Sequence, residues 1–262
     1  MDIIVCIKRV PETAEAALII NETDRGVKEE NLTFDINESD NYALEEAVLL
    51  KEKLGGTVTL VTVGPQQSDE ILRMGMAKGA DAAIRLTDEK FAYSDGYAIA
   101  NLLAKAIRDL KYDLILTGCM ATDDGYTQVG TTLAELLGIP HATLVSEVEI
   151  EDKRVKVQRE LEGGLYEALE IDLPALLTIQ TGINEPRYAS LLSIRKAASK
   201  EIKTLNLQSL SLKEEDVGES GSKTKIEVVN YPPVGKKAEL LEGTLDEVST
   251  KLAGIFKERG LL

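Results

Sequence analysis

The chain has no tryptophan, a single histidine, two cysteines and only 4% aromatic residues. One histidine, His141, counts against a Ser-His-Asp constellation and against a histidine-ligated metal centre. It follows Pro140 at a predicted helix-to-strand connection and reads as structural. Cys6 and Cys119 each end a predicted strand, far apart in sequence, with neither a C-x-x-C nor a metal-ligand spacing. Small buried thiols are the expectation. Positive charge is also scarce: 30 Lys and Arg stand against 45 Asp and Glu, a formal net charge of −15. That balance counts against nucleic acid and anionic membranes and suits protein partners. No apolar run approaches the length of a membrane span, and strand-like Ile3 to Ile7 follows Met1-Asp2 directly, without a signal peptide pattern. A cytoplasmic protein is expected.

What is present is an ordinary globular composition, 44% hydrophobic and 29% charged over 262 residues. This fits one large domain or a domain with a substantial extension. Apolar runs alternate with helical periods. Ile3 to Ile7, Thr57 to Val63, Ala82 to Leu86 and Leu114 to Leu116 read as buried parallel strands, since two covered faces need no polar alternation. Between them, Leu44, Ala47 and Val48 mark a helix with Asp40 as its expected N-cap and Gly55-Gly56 as its stop. A second helix falls near 68–77, after Gly64-Pro65. Ile99, Leu102, Leu103, Ala106, Ile107 and Leu110 mark a third. Residues 17–35 read as an excursion, a β-hairpin pairing Leu18 to Ile20 with Leu32 to Phe34 across a turn through Asn21 to Gly26. The alternation predicts an α/β fold, a doubly wound, mainly parallel sheet with a switch point beside strands one and four. The loops after strands one, two and four converge there, where open α/β sheets bind ligands.

The fourth strand opens into Ala121-Thr-Asp-Asp-Gly-Tyr-Thr-Gln-Val-Gly130, and Leu133, Leu136 and Leu137 then begin a helix. A strand, a polar glycine-bearing loop and a helix N-terminus form a natural anion site. The stretch matches neither G-x-G-x-x-G nor a P-loop, and a plain helix start capped by Asp123 or Thr127 is the other reading. Lys8 and Arg9 likewise read either as a solvated turn or as an anion contact.

From His141 the pattern changes. Ala142 to Glu151, Val155 to Glu160 and Ala168 to Ile171 read as antiparallel additions, with Glu162-Gly163-Gly164 as a tight turn. Pro174 to Gln180 reads as a last core strand, and Leu191 to Lys200 as a helix whose first residue is buried. Residues 201–235 lack apolar periodicity and read as an extended C-terminal arm. Leu245, Val248, Leu252, Ile255 and Phe256 then give an amphipathic terminal helix.

Val157-Gln-Arg-Glu-Leu-Glu-Gly-Gly164, Leu173-Pro-Ala-Leu176 and Asn184-Glu-Pro-Arg-Tyr-Ala-Ser-Leu191 with Lys196-Ala197 form an ordered series. Ile7-Lys-Arg-Val10, Ala43-Leu-Glu-Glu-Ala47, Gly64-Pro65 and Met76-Ala-Lys-Gly-Ala-Asp81 precede it. Together they resemble the electron-transfer flavoprotein beta (small) subunit over most of residues 1–200.

The resemblance implies an adenine-nucleotide alpha-hydrolase-like fold, with a nucleotide-binding domain over 1–200 and an arm over 201–262 that docks on an alpha subunit. It implies an electron carrier rather than an enzyme, with FAD held mainly by the alpha subunit and AMP in the beta core. A second FAD that oxidises NADH would replace AMP in a bifurcating form. The nucleotide would touch Cys6, then Asn37, Glu38, Ser39 and Asp40, then Val63. It would also touch Ala121, Thr122, Asp123, Asp124, Gly125, Tyr126, Thr127, Gln128, Val129, Gly130, Thr131 and Thr132.

Asn184, Glu185, Pro186, Arg187, Tyr188, Leu191 and Lys196 would grip partners, with Leu191 an exposed anchor. Those partners are flavin dehydrogenases of the acyl-CoA dehydrogenase type and a quinone oxidoreductase or other acceptor, with no direct membrane insertion. Thr13 stands where mitochondrial-type members carry a tyrosine. The run from Lys196 to Lys200 is thinner in lysine than theirs, and both departures point away from a mammalian-like partner set. The loop also lacks the Asp-Gly-Asp-Thr-Ala-Gln-Val form of bifurcating members, which favours AMP. A lone α/β nucleotide-binding sensor is the remaining alternative.

Overall fold

A computed structural model describes residues 1–14, 16–21, 25–233, 235 and 238–262. The chain begins with β1 (Asp2–Cys6), β2 (Arg9–Pro11), β3 (Ile20–Asn21), β4 (Gly26–Val27), β5 (Phe34–Ile36), α1 (Glu38–Leu54) and β6 (Thr57–Val63). It continues through α2 (Asp69–Lys78), β7 (Ala82–Leu86), α3 (Gly96–Ile107), β8 (Leu114–Gly118) and α4 (Val129–Leu137). Then come β9 (His141–Glu151), β10 (Arg154–Leu161), β11 (Leu165–Asp172), β12 (Ala175–Ile179) and α5 (Leu191–Ala198). The last elements are β13 (Lys203–Leu205), the short α6 (Gly218–Gly221) and α7 (Leu245–Glu258).

One nine-stranded sheet carries the fold, in the order β11-β10-β9-β12-β8-β1-β6-β7-β13. From β9 to β13 every neighbouring pair is parallel, while β10 and β11 are antiparallel additions. The chain leaves β1 towards β6 on one side and returns to β8 on the other, so the expected switch point lies between β1 and β8. Both faces are covered, by α1, α2 and α5 on one and by α3 and α4 on the other. That explains the unalternated strands: Leu114, Ile115 and Leu116 of β8 are all fully buried. Each such side chain contributes about 1.5–3 kcal/mol by leaving water.

Several expectations are corrected. The hairpin in 17–35 pairs Ile20 with Val27, not with 32–34, and Phe34 instead faces Pro11 across β5 and β2. Residues 22–24 of its turn lie outside the described residues. Helix α1 begins at Glu38 with Asn37 as its N-cap, so Asp40 is inside the first turn. The segment 201–235 is not wholly an arm. Strand β13 adds to the sheet edge beside β7, and Leu210, Leu212 and Val217 are buried in the core on the α3 side. Asp95 fastens the chain after α6: its Oδ2 accepts from the backbone N–H of Lys223 and Thr224 and from the Thr224 hydroxyl, each within 2.9 Å. Beyond this the tail keeps ties to the body as far as Tyr231, whose hydroxyl donates to Leu18 O and accepts from Ile20 N–H. Among the described residues no helix is long and apolar enough to cross a membrane.

Candidate functional site

A cavity of about 110 Å³ opens at the C-terminal ends of β1, β6 and β8. A single water needs only about 10–15 Å³, so the space suits a larger guest. Its walls are apolar: Cys6, Val61, Val63, Ile99, Leu103 and Val129. Its polar groups are few: Lys8, Asp40, Thr62, Thr117, Asp124 and Tyr126. An apolar slot with a few convergent polar groups is the usual build of a small-molecule site.

The network behind the cavity starts from α1. Asp40 is buried, and its two carboxylate oxygens accept from the backbone N–H of Lys8 at 2.8 Å and of Gly118 at 2.9 Å. One side chain thus joins the loops after β1 and β8, on either side of the switch point. Burial raises its pKa to about 7, against the lowering effect of those hydrogen bonds. Asn37, likewise buried, donates to Met120 O and accepts from Thr122 N, and the Ser39 hydroxyl also donates to Met120 O. The start of α1 therefore fixes the path of the 118–122 backbone.

The loop then folds on itself. Gly125 N–H donates to Ala121 O at 3.0 Å, and Tyr126 N–H donates to Asp124 Oδ1 at 2.9 Å, a local turn of the kind Asp favours. Gly125 sits at φ +67, where a Cβ is strained. Lys8 Nζ reaches Asp123 at 2.6 Å and Asp124 at 2.5 Å. Burial works against its charge, but the two carboxylates outweigh that and raise its pKa. Neither Asp123 nor Thr127 caps the next helix: Gln128 is the N-cap of α4 and makes no side-chain cap bond. The first N–H groups of α4 therefore keep their capacity for an anion. Gly130 brings that helix end close, since a Cβ there would lie 2.7 Å from the Thr117 hydroxyl. Burial also raises the pKa of the thiols of Cys6 and of the half-buried Cys119, which disfavours the thiolate form.

Of the residues singled out from the sequence, Cys6, Asp40, Val63, Ala121, Asp124, Tyr126, Val129 and Gly130 line the cavity. Asn37 and Ser39 stand behind it. Thr122, Asp123, Gly125, Thr127, Gln128, Thr131 and Thr132 belong to the loop and helix start without lining it, and Glu38 is exposed on the outer side of α1. Sequence reasoning did not assign Ile99 and Leu103 to the site, because a helical apolar stripe reads as core. The cavity thus sets an apolar slot beside a helix start that lacks a side-chain cap, an arrangement able to take a flat apolar group on one side and an anion on the other.

The 184–198 segment divides by direction. Tyr188 is 99% exposed, Leu191 78% and Leu192 69%, so Leu191 is not the buried start of its helix. Lys196 is also exposed. Asn184 and Arg187 turn inward instead, onto carboxylates of α1. Glu185 is exposed and Pro186 half-buried.

Residues 25–210 match the family model of the electron transfer flavoprotein domain. An electron transfer flavoprotein subunit beta of Thermoanaerobacterium thermosaccharolyticum is 39% identical over 263 residues, covering all of both chains. That of Methylophilus methylotrophus is 37% identical over 262 residues, 98% of each. The caffeyl-CoA reductase-Etf complex subunit CarD of Acetobacterium woodii is 36% identical over 265 residues, again all of both. With a family model over most of its length and full-length relatives above 30% identity, the chain belongs to the electron transfer flavoprotein beta-subunit family.

Proposed function

We propose that this chain is the beta half of a two-subunit electron carrier and holds AMP in the cavity at the switch point. The flavin, shared with an alpha subunit, supplies the electron-transfer chemistry; this chain supplies binding, orientation and electrostatics. The observation that carries the reading is the cavity itself, with its apolar slot leading to the uncapped start of α4. Val61, Val63, Ile99 and Leu103 would flank the base, and the N–H groups of Val129 and Gly130 would meet the phosphate. Lys8 would leave its two loop carboxylates in part to meet the same charge. The AMP acts as a structural filler of the crevice beyond the C-terminal ends of β1 and β8, not as a reactant.

The alpha subunit would be gripped by the uncovered tail. Helix α7 buries none of its residues, while Leu245 is 83% exposed and the face carrying Leu252 and Phe256 is open. Electron donors of the acyl-CoA dehydrogenase type would dock at Tyr188 and Leu191. Mass spectrometry of nucleotide released from the purified heterodimer tests the proposal. One AMP and one FAD per heterodimer is expected. Two FAD and no AMP would replace it with the NADH-oxidising reading, and a well-folded lone chain with no flavin partner would favour the sensor.

A further inference from the structure

We propose that Arg187 is a positioning residue that holds the Tyr188–Leu192 edge in a fixed, outward conformation by locking its root to helix α1. The proposal rests on the reading of that edge as a docking site and names the device that presents it. Large apolar side chains on a loop do not stay presented to water unaided, because collapse onto the body would bury them. Here the edge is strung between two anchors.

At its start, the Arg187 backbone N–H donates to Glu45 Oε2 at 3.0 Å, Nε donates to both Glu45 oxygens at 3.0 Å, and Nη2 donates to Oε1 at 2.9 Å. Its remaining fork reaches Glu52 at 2.6 Å, one helical stretch further along α1. At its end, Arg73 of α2 donates to the carbonyls of Ala197, Ala198 and Lys200, where cations suit a helix C-terminus. Between the anchors Ser190 caps α5 through Ser193 N–H, so Leu191 and Leu192 start a helix rather than a free loop.

Glu45 needs this partner. Its side chain is only 6% exposed, and a carboxylate is retained at such a place only with a hydrogen-bonded cation. The planar fork of arginine satisfies two oxygens at once; a lysine does not. Asn184 adds a second tie, donating to Tyr42 O and to Glu46, whose pKa burial raises. The first turn of the same α1 shapes the nucleotide cavity through Asn37 and Asp40. One rigid helix therefore indexes the docking edge to the nucleotide end.

The test uses the purified heterodimer. Arg187→Ala should speed amide exchange across 187–193 about tenfold while β1, β6 and β8 keep wild-type protection. With reduced acyl-CoA dehydrogenase as donor it should raise KM about tenfold and leave kcat within about twofold, since only preorganisation is lost. Arg187→Lys should fall between. Should Arg187→Ala fail to fold with Glu45 left unpaired, the pair Arg187→Leu with Glu45→Leu removes the clamp without stranding a charge. Wild-type exchange over 187–193 in any folded variant lacking the fork overturns the proposal. A KM unchanged by Leu191→Ala would sink the docking reading alone, leaving the exchange result to decide the clamp.

Discussion

Helices α1 and α7 were both marked in the sequence by an apolar stripe, yet they end in opposite situations. Helix α1 buries nine of its seventeen residues, charged Asp40, Glu45 and Glu46 among them. It does so with no side-chain cap bond at its N-terminus, because Asn37 spends its amide on Met120 and Thr122 instead. Helix α7 has a complete capping box, with the Thr244 hydroxyl accepting from Glu247 N–H and the Glu247 carboxylate accepting from Thr244 N–H. It buries none of its fourteen residues. In this pair the capping rule is satisfied on the helix without tertiary partners and relaxed on the one that has them, whereas the buried α3 keeps its Asp95 cap. A stripe states that a face needs covering; it does not state by what.

That contrast can be broken at several points. The largest effect is expected at Asp40. Its pKa is about 3.8 unfolded and about 7 folded. Because the folded value is the higher one, its contribution is most favourable below about pH 4 and is lost as pH rises to and through about 7. The shift corresponds to roughly 4 kcal/mol between those limits. Urea unfolding from pH 4 to 8 should show a fall in the stability of the native chain relative to Asp40→Asn; parallel curves would refute it.

Leu44, on the same helix, is 1% exposed. Leu44→Ala should cost about 3 kcal/mol of folding stability whether or not a partner subunit is present. Equal stability to the parent would mean that α1 does not pack as described.

Gly125 stands in the loop whose Thr122 N–H is held by Asn37. Valine at φ +67 costs about 1–2 kcal/mol, so Gly125→Val should release AMP about tenfold more readily from the folded heterodimer. Unchanged AMP content would remove the loop conformation from the site.

The smallest effect belongs to α7. Leu252→Ala should change the stability of the isolated chain by less than about 0.5 kcal/mol, as for an exposed position, yet weaken assembly with the alpha subunit. A melting temperature lowered in the isolated chain would show that α7 packs on its own body.

The central sheet was legible because its strands are covered on both sides and so carry unbroken apolar runs. Thr57 to Val63 and Ala82 to Leu86 have the bounds expected of them. The pairing of Phe34 with Pro11 was not legible, since so short a strand has no period and the pairing is set by its partner. Nor was the burial of Leu210, Leu212 and Val217, three apolar residues in a polar stretch with no helical or strand spacing. In the site, the loop composition pointed to 121–130, but Asp40 looked like a cap. Its actual work, holding Lys8 and Gly118, joins residues 32 and 78 positions away, a distance at which sequence pattern carries no signal.

The fastening of the tail sets a length scale for assembly. After Asp95 holds Thr224, the Tyr231 hydroxyl is tied again, donating to Leu18 O and accepting from Ile20 N–H. From Tyr231 to Thr244 the chain has thirteen steps, a contour of at most about 45 Å. If α7 docks on an alpha subunit as proposed, it does so as a leashed ligand: once the two subunits touched, its local concentration would rise towards the millimolar range. A weak groove on the other subunit would suffice to hold it, and lengthening the leash would loosen the pair without altering a single contact.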